Sequence, residues 1–422
     1  MFQVLTSAWA LLFGMGLLMI GNGMQGTLLG IRGEIEGFST LEMSIVMSAY
    51  FAGFLGGSRL APRMIQRVGH VRVFAALASL ISAVMLLYPT FADPWVWTVG
   101  RVVIGFCFSA VYVTAESWLN DAADNSNRGK ALSLYMIVMT VGIVVSQYLL
   151  LTADPSGFVL FVIPSVLVSL AITPILLSIS PVPAFDSTKP MTLRRLVETS
   201  PLGCVGMFLL GGVFAAQFGM AAVYGTQAGL SVAQISTFVS VFFIGAVVLQ
   251  YPIGWVSDRM DRRVLILILA AVGAFGSVVG LALGGNFILL LASAFLVGGM
   301  SNPLYSLLVA HTNDFLEHDD MAAASGGLVF INGLGAVFGP LIVGALMENV
   351  GPGGFYMFTG VLFAILVAYA AYRATQRAAL PAEETGSYVA MSQAAVTPVA
   401  MEIAQEYAIE ADLEGDEDSR AA

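Results

Sequence analysis

The sequence predicts an all-α membrane protein whose twelve transmembrane helices form two pseudo-symmetric six-helix bundles. Three observations lead there. Apolar residues make up 58% of the 422-residue chain and charged residues only 10%, with a mean hydropathy of +0.87, whereas soluble domains average about 25% charged. The apolar residues gather into runs that mostly reach the roughly 20 residues a helix needs to cross about 30 Å of hydrocarbon. Short sequences also recur at offsets of 192 or 193 positions.

Hydropathy and breaker residues place the first six spans near 6–30, 40–61, 71–92, 95–119, 129–152 and 157–180. The second six fall near 201–225, 232–254, 263–283, 286–310, 321–346 and 353–374. A transmembrane barrel needs segments of about 10 residues with alternating polarity, and none alternates here. The first span lacks the basic flank and clear cleavage site of a secretory signal, so it is expected to remain as a working helix. Cys107 and Cys204 fall inside spans and read as packing residues. The interior segment 181–200, "PVPAFDSTKPMTLRRLVETS", has six spans on either side and reads as a cytoplasmic linker between bundles 1–180 and 201–374.

Orientation follows from the loop charges, because short cytoplasmic loops hold an excess of Lys and Arg. Of the 17 Lys and Arg residues, all but Arg32 and Arg101 lie on one side: in loops 2-3, 4-5, 6-7 and 8-9 and after the last span. Both termini are therefore expected in the cytoplasm of a bacterial cell, with the spans in its inner membrane.

Repeated sequence ties the halves together. "WLNDAADNSNRG" (118–129) matches "HTNDFLEHDDMA" (311–322) at Asn120-Asp121 and Asn313-Asp314, and "PRMIQRVGHVR" (62–72) matches the segment around Arg259. "GWVSDRMDRR" resembles the G-x-x-x-D-R-x-G-R-R loop of the major facilitator superfamily, with Gly254, Asp258, Arg259, Arg262 and Arg263 in place and Asp261 where a glycine is usual. The first-half copy keeps Arg67, Gly69 and Arg72 but has Pro62 and Gln66 at the glycine and aspartate positions. "GRVVIGF" (100–106) resembles that family's fourth-helix R-x-x-x-G motif. Tyr112 and Glu116, followed by Arg128-Gly129, resemble its YcaD-like bacterial branch. The resemblance covers roughly 2–375 and implies the family's fold and a transport function.

That fold implies loop contacts at the cytoplasmic side. Helix N-termini attract carboxylates, so Asp258 is expected against the start of the fifth helix. Loop 2-3 has four arginines and no carboxylate, while loop 10-11 has Asp314, Glu317, Asp319 and Asp320 and no Lys or Arg. Loops 2-3/10-11 and 4-5/8-9 are therefore expected to form an inner gate that latches the outward-open state. Its residues are Arg67, Gly69, Arg72, Glu116, Arg128, Gly254, Asp258, Arg259, Arg262, Arg263, Asp319 and Asp320, with Glu116 meeting Arg67 or Arg128.

Polar residues within apolar spans give the candidate substrate site: Asn22, Gln25, Arg101, Tyr112 and Gln147 in the first half, and Gln217, Tyr224, Asn302, Tyr305 and Asn332 in the second. Arg101 lies about 10 Å below the outer surface by the 1.5 Å helical rise. Such a charge faces a cavity or a partner, here substrate, Glu34 or Glu36; the alternative is snorkelling to the interface. As a set these residues favour a neutral or amphipathic solute. "HTNDFLEHDD" holds His311, His318 and four carboxylates without fixed ligand spacing, so no metal or other cofactor is expected. The absence of a P-loop pattern argues against ATP drive.

The tail, 375–422, carries ten acids against Arg377 and Arg420 and reads as an acidic, disordered cytoplasmic segment, with room for a short helix near 400–412. The function expected is secondary active or facilitative transport of a small organic solute by a monomer in the bilayer, with no nucleic-acid partner. A proton-coupled drug or metabolite exporter, and a transporter-derived receptor without turnover, are the alternatives. No nucleophile, base and orienting residue can be placed together, so an enzyme is not indicated.

Overall fold

The computed structural model describes residues 2–122, 128–177 and 191–376, and in the tail 385–386, 388–391, 393 and 397–406. The side chains of 2–8, 121–122, 128–130, 318–319 and 322 lie outside that description. The first half of the linker expected at 181–200, residues 181–190, lies outside it too, as do the side chains of Arg128 and Asp319.

The long helices are α1 (Phe2–Ile35), α2 (Thr40–Val68), α3 (His70–Thr90), α4 (Pro94–Ala122), α5 (Arg128–Leu149), α6 (Val159–Leu177), α7 (Pro201–Gln227), α8 (Val232–Ser257), α9 (Arg262–Leu283), α10 (Phe287–Asn313), α11 (His318–Val350) and α12 (Gly354–Gln376). Among the described residues, 11 are long and apolar enough to cross a membrane. The other is α2, which carries Glu42, Arg59, Arg63 and Arg67 and packs between α4 and α11.

Several helices overrun the expected spans. α2 continues through Pro62 to Val68, so Arg59, Arg63 and Arg67 sit on its last turns rather than in a loop. The connection to α3 shrinks to Gly69, whose φ of 85° is a conformation that strains any residue with a Cβ.

The same packing pattern occurs twice. In the first six helices α1 packs on α5 and α6, α2 on α4, and α3 on α4 and α6; α7–α12 repeat these pairings in order. Local devices repeat with them, 192 or 193 positions apart. Gly37 and Gly229 have positive φ values of 79° and 73°. Ser39 with Glu42, and Ser231 with Gln234, form capping boxes that satisfy the free N–H groups starting α2 and α8. Gly53 and Gly105 let α2 and α4 touch backbone to backbone, as Gly245 and Gly298 do for α8 and α10.

Candidate transport pathway

The two bundles meet differently at their two ends. At the end where α1 turns into α2 they touch directly. Ser48 Oγ donates to Val337 O at 2.6 Å and Leu41 N to the Glu348 carboxylate at 3.2 Å. Gln227 donates to Thr40, and Gly30 and Gly344 lie against Ala222 and Ser44 without room for a Cβ.

At the opposite end the tail lies between the bundles. It begins beside α9, where Gly386 N donates to Asp314 Oδ1 at 3.3 Å and Gly386 O accepts from Arg262. Tyr388 N donates to Asp258 Oδ1 at 3.1 Å, and its hydroxyl accepts from Gln250 at 3.0 Å. Burial raises the Tyr388 phenol above its ordinary pKa, keeping it protonated. The chain climbs α10 through Met391 N to Ser306 Oγ (2.9 Å) and Gln393 N to Asn302 Oδ1 (3.0 Å). It then reaches α4, where Thr397 donates to Glu116. Residues 398–406 return as a helix with Met401 and Ile403 buried, and Gln405 bonds both Asn313 (3.0 Å) and Ser325 (2.6 Å). This corrects the expectation of a disordered tail for the described residues: its apolar side chains are buried among the helix ends. A crevice of about 610 Å³ remains between α5, α8 and the tail.

Between the two ends lies a buried polar cluster. Asn22 Nδ2 donates to Tyr112 Oη at 2.8 Å and Tyr50 Oη at 3.1 Å, and Gln25 donates to Asn22 Oδ1 at 3.2 Å. Gln147 donates to Gly23 O at 3.2 Å. The carbonyl oxygens of Gln25 and Gln147 are buried without hydrogen-bond partners among the described residues. Arg101 stacks on the Tyr50 ring, 4.5 Å from its centroid. On the facing bundle α7 relaxes into a π-turn over Ala216–Met220, a feature frequent at functional sites. Phe214 and Phe218 there meet Phe51 and Tyr50, and Gln217 donates to Ser301 at 3.2 Å.

Five of the candidate residues, Asn22, Gln25, Arg101, Tyr112 and Gln147, thus gather in the first bundle. The second bundle departs more from expectation. Tyr224 packs in an aromatic box with Phe238, Phe355 and Tyr356, and Asn332 ties α11 to Met207 O at 2.9 Å. Both are packing groups. Asn302 meets the tail, and Tyr305 is buried with an unpartnered hydroxyl. Tyr50, Phe51, Phe54, Phe214 and Phe218 escaped the sequence reading because an aromatic lining a path and one filling a core look alike in an apolar run.

The loops expected to form the gate of the outward-open state are separated in this structure. Asp258 accepts from the tail, and Glu116 accepts from Tyr135 (3.0 Å) and Thr397 rather than from Arg67; the Arg128 side chain and residues 123–127 ahead of α5 lie outside the described residues. The tail contacts residues of both bundles at this end. Arg67 and Arg72 are exposed. Gly254 leaves space for the Tyr388 ring, and Arg259 folds over Trp255, 4.2 Å from its ring centroid. Arg262 is buried against Asp314, Arg263 pairs with Asp261 at 2.8 Å, and Asp320 pairs with Arg195 at 2.6 Å. Burial opposes ionisation of Asp261, but the hydrogen bonds from Arg263 outweigh it and hold the carboxyl below its ordinary pKa. Among the described residues, no group of three or more His, Cys, Asp or Glu could hold a metal ion.

A family model described as "Major Facilitator Superfamily" matches residues 11–231 and 202–400. The chain belongs to that superfamily. It is an integral membrane protein of a transporter family, not an enzyme. The uncharacterized MFS-type transporter YcaD of Escherichia coli O45:K1 is 27% identical over 344 residues, covering 80% of this chain and 88% of the relative. Among solved structures, the D323A mutant of the nucleoside transporter NupG superposes with a TM-score of 0.74 at 13% identity, covering 87% of this chain and 99% of that one. A bacterial homolog of the human lysosomal transporter Spinster, inward-facing and unoccupied, gives 0.67 at 12% identity over 97% and 98%. The major facilitator superfamily transporter FucP, in the outward conformation, gives 0.56 at 12% identity over 88% and 99%. At such identities these superfamily structures share the fold.

Proposed function

We propose that the protein is a secondary transporter that carries a small organic solute across a bacterial cytoplasmic membrane by alternating access. The supporting observation is the difference between its two ends: direct bundle-to-bundle contact at one, a tail segment between the bundles at the other, and a buried polar cluster between them. The excess of arginines at the tail end supports a cytoplasmic position for that end and for both termini. The state described is then inward-facing.

In the outward-facing state the tail end closes. Loops 2-3 and 10-11 then meet, and so do loops 4-5 and 8-9. Arg67 and Arg72 are exposed and available to Asp319 and Asp320, the latter exchanging Arg195 for a new partner. Exposed pairs of this kind contribute about 0.2–1 kcal/mol each, enough to bias two states a few kcal/mol apart.

The test needs no solute. Cysteines replacing Thr40 and Gln227 will cross-link across the closed end; the native Cys107 and Cys204 are both buried and free. A third cysteine, Gln25→Cys, reports on the central cluster. Before cross-linking, a membrane-impermeant thiol reagent should label it from either side of the membrane. After cross-linking, labelling should persist only from the cytoplasmic side. Labelling from one side alone in the uncross-linked protein would rule out alternating access.

A further inference from the structure

We propose that Arg101 anchors an anionic group of the carried solute, which makes the solute a small organic monoanion with an apolar or aromatic body. This rests on the transporter reading above and adds the substrate class.

Arg101 has no exposed surface, yet Nε and Nη1 have no hydrogen-bond partner among the described residues, and Nη2 reaches only the Met47 sulfur at 3.7 Å. Neither expected carboxylate serves it. Glu36 is held by Arg32 at 2.6 Å and Glu34 is exposed. Snorkelling is excluded by the burial. The Tyr50 ring is a weak substitute for a counter-ion, since stacking on an aromatic face supplies no acceptor for the N–H fork. A buried guanidinium without an acid is costly to retain for packing alone, and its planar fork matches the two oxygens of a carboxylate.

Its neighbours show how a solute reaches it. Tyr50 touches Arg101 on one side and Phe218 of α7 on the other, with ring centroids 5.8 Å apart in the second contact. Met47 packs against Gly219 of the same π-turn. Separation of α2 from α7 as the far end opens therefore uncovers the residues that now cover Arg101. A bound acid would place its body against Phe51, Phe54, Phe214 and Phe218. The unpartnered carbonyls of Gln25 and Gln147 would accept from its hydroxyl or amide groups. Among the described residues of this cluster Arg101 is the one cation, which fits a single negative charge.

The probes are acids paired with their isosteric primary amides: benzoate with benzamide, 3-phenylpropionate with 3-phenylpropionamide, and octanoate with octanamide. Binding to purified protein is read by thermal shift and by quenching of intrinsic fluorescence. At least one acid should stabilise the wild type while its amide does not. Arg101→Met should bind that acid about 10- to 100-fold more weakly, the range for losing a hydrogen bond to a charged group, and Arg101→Lys should retain part of the affinity. Without ligand, Arg101→Met should melt no lower than wild type, because it removes an unpaired buried charge. The assignment is overturned if amides match their acids, if Arg101→Met binds the acid unchanged, if no acid of the panel binds, or if both substitutions lower the ligand-free melting point equally. The cross-linking experiment is independent of these outcomes, so loss of the anion assignment leaves the transporter reading standing.

Discussion

Thr397 donates a hydrogen bond to Glu116, joining the tail to α4 across 281 positions of chain. Glu116 is wholly buried, and its other carboxylate oxygen accepts from Tyr135 at 3.0 Å. A buried carboxylate left short of donors costs about 1–3 kcal/mol or more, so the tail satisfies a group that the helices only half satisfy. The contact also connects the two bundles, because the same tail segment bonds Leu210 O of α7 through Gln393 at 3.1 Å.

Removing residues 385–422 should therefore open the cytoplasmic vestibule. A cysteine replacing Asn302, which now accepts from Gln393 N, should react several-fold faster with a membrane-impermeant maleimide in the truncated protein. Thr397→Val should give a smaller increase, since it removes one bond and leaves the others. An unchanged labelling rate after truncation would mean that the tail does not occupy the vestibule in solution.

Arg262 and Asp314 form an ion pair whose side chains are 2% and 3% exposed, whereas Asp258 is 43% exposed and 4.0 Å from Arg262. The two carboxylates should differ sharply in their effect on stability. Asp314→Asn leaves a buried arginine without its counter-charge and should destabilise by about 3–5 kcal/mol. Loss of the exposed ion pair in Asp258→Asn should cost less than about 1 kcal/mol. Detergent-solubilised variants melted under one condition would show the order, and equal melting points would refute it.

The contrast marks where the sequence was legible. Spans, bundle number and the loop repeats follow from hydropathy and offset, because membrane crossing imposes length and polarity directly on the chain. The capping boxes at Ser39 and Ser231, and the paired glycines at 53/245 and 105/298, carried the same offset and were readable in principle. Asp258 was the motif residue, yet Asp314 makes the buried pair, since burial depends on what packs over a loop. The insertion of the tail was hidden for another reason. A segment with ten acids over 375–422 reads as solvated on average, although its buried part is the locally apolar stretch around Met391, Thr397 and Met401.

Asp261 caps α9, its carboxylate accepting from Arg263 N at 2.9 Å and pairing with the Arg263 side chain. Its pKa is lower in the folded protein than in the unfolded chain. The stabilisation is therefore present above the unfolded value of about 3.9 and fades as pH falls through the lower folded value. Asp261→Ala should cost about 1 kcal/mol at pH 7, the usual loss of an N-cap, and Asp261→Asn less. Melting curves of wild type and Asp261→Ala should draw together below the unfolded value of about 3.9 and converge as pH falls through the lower folded value; a constant gap across that range would show that the charge is not responsible.

Gly344 lies against Ser44 and Gly30 against Ala222, two approaches between the bundles at the closed end that leave no room for a Cβ. Neither position needs a positive φ, so a larger residue there changes packing without straining the backbone. Gly344→Leu should wedge α11 from α2, and Gly30→Leu should wedge α1 from α7. Each should shift the population toward the outward-facing state, because the loss falls only on the state in which those helices touch. The readout is a cysteine at Met47, buried now beside Gly219. It should become reactive toward an impermeant reagent added from outside, while the Asn302→Cys reporter at the other end slows. If both reporters speed up, the substitutions loosen the fold rather than move it between states. If neither changes, the contacts at Gly344 and Gly30 do not hold that end closed.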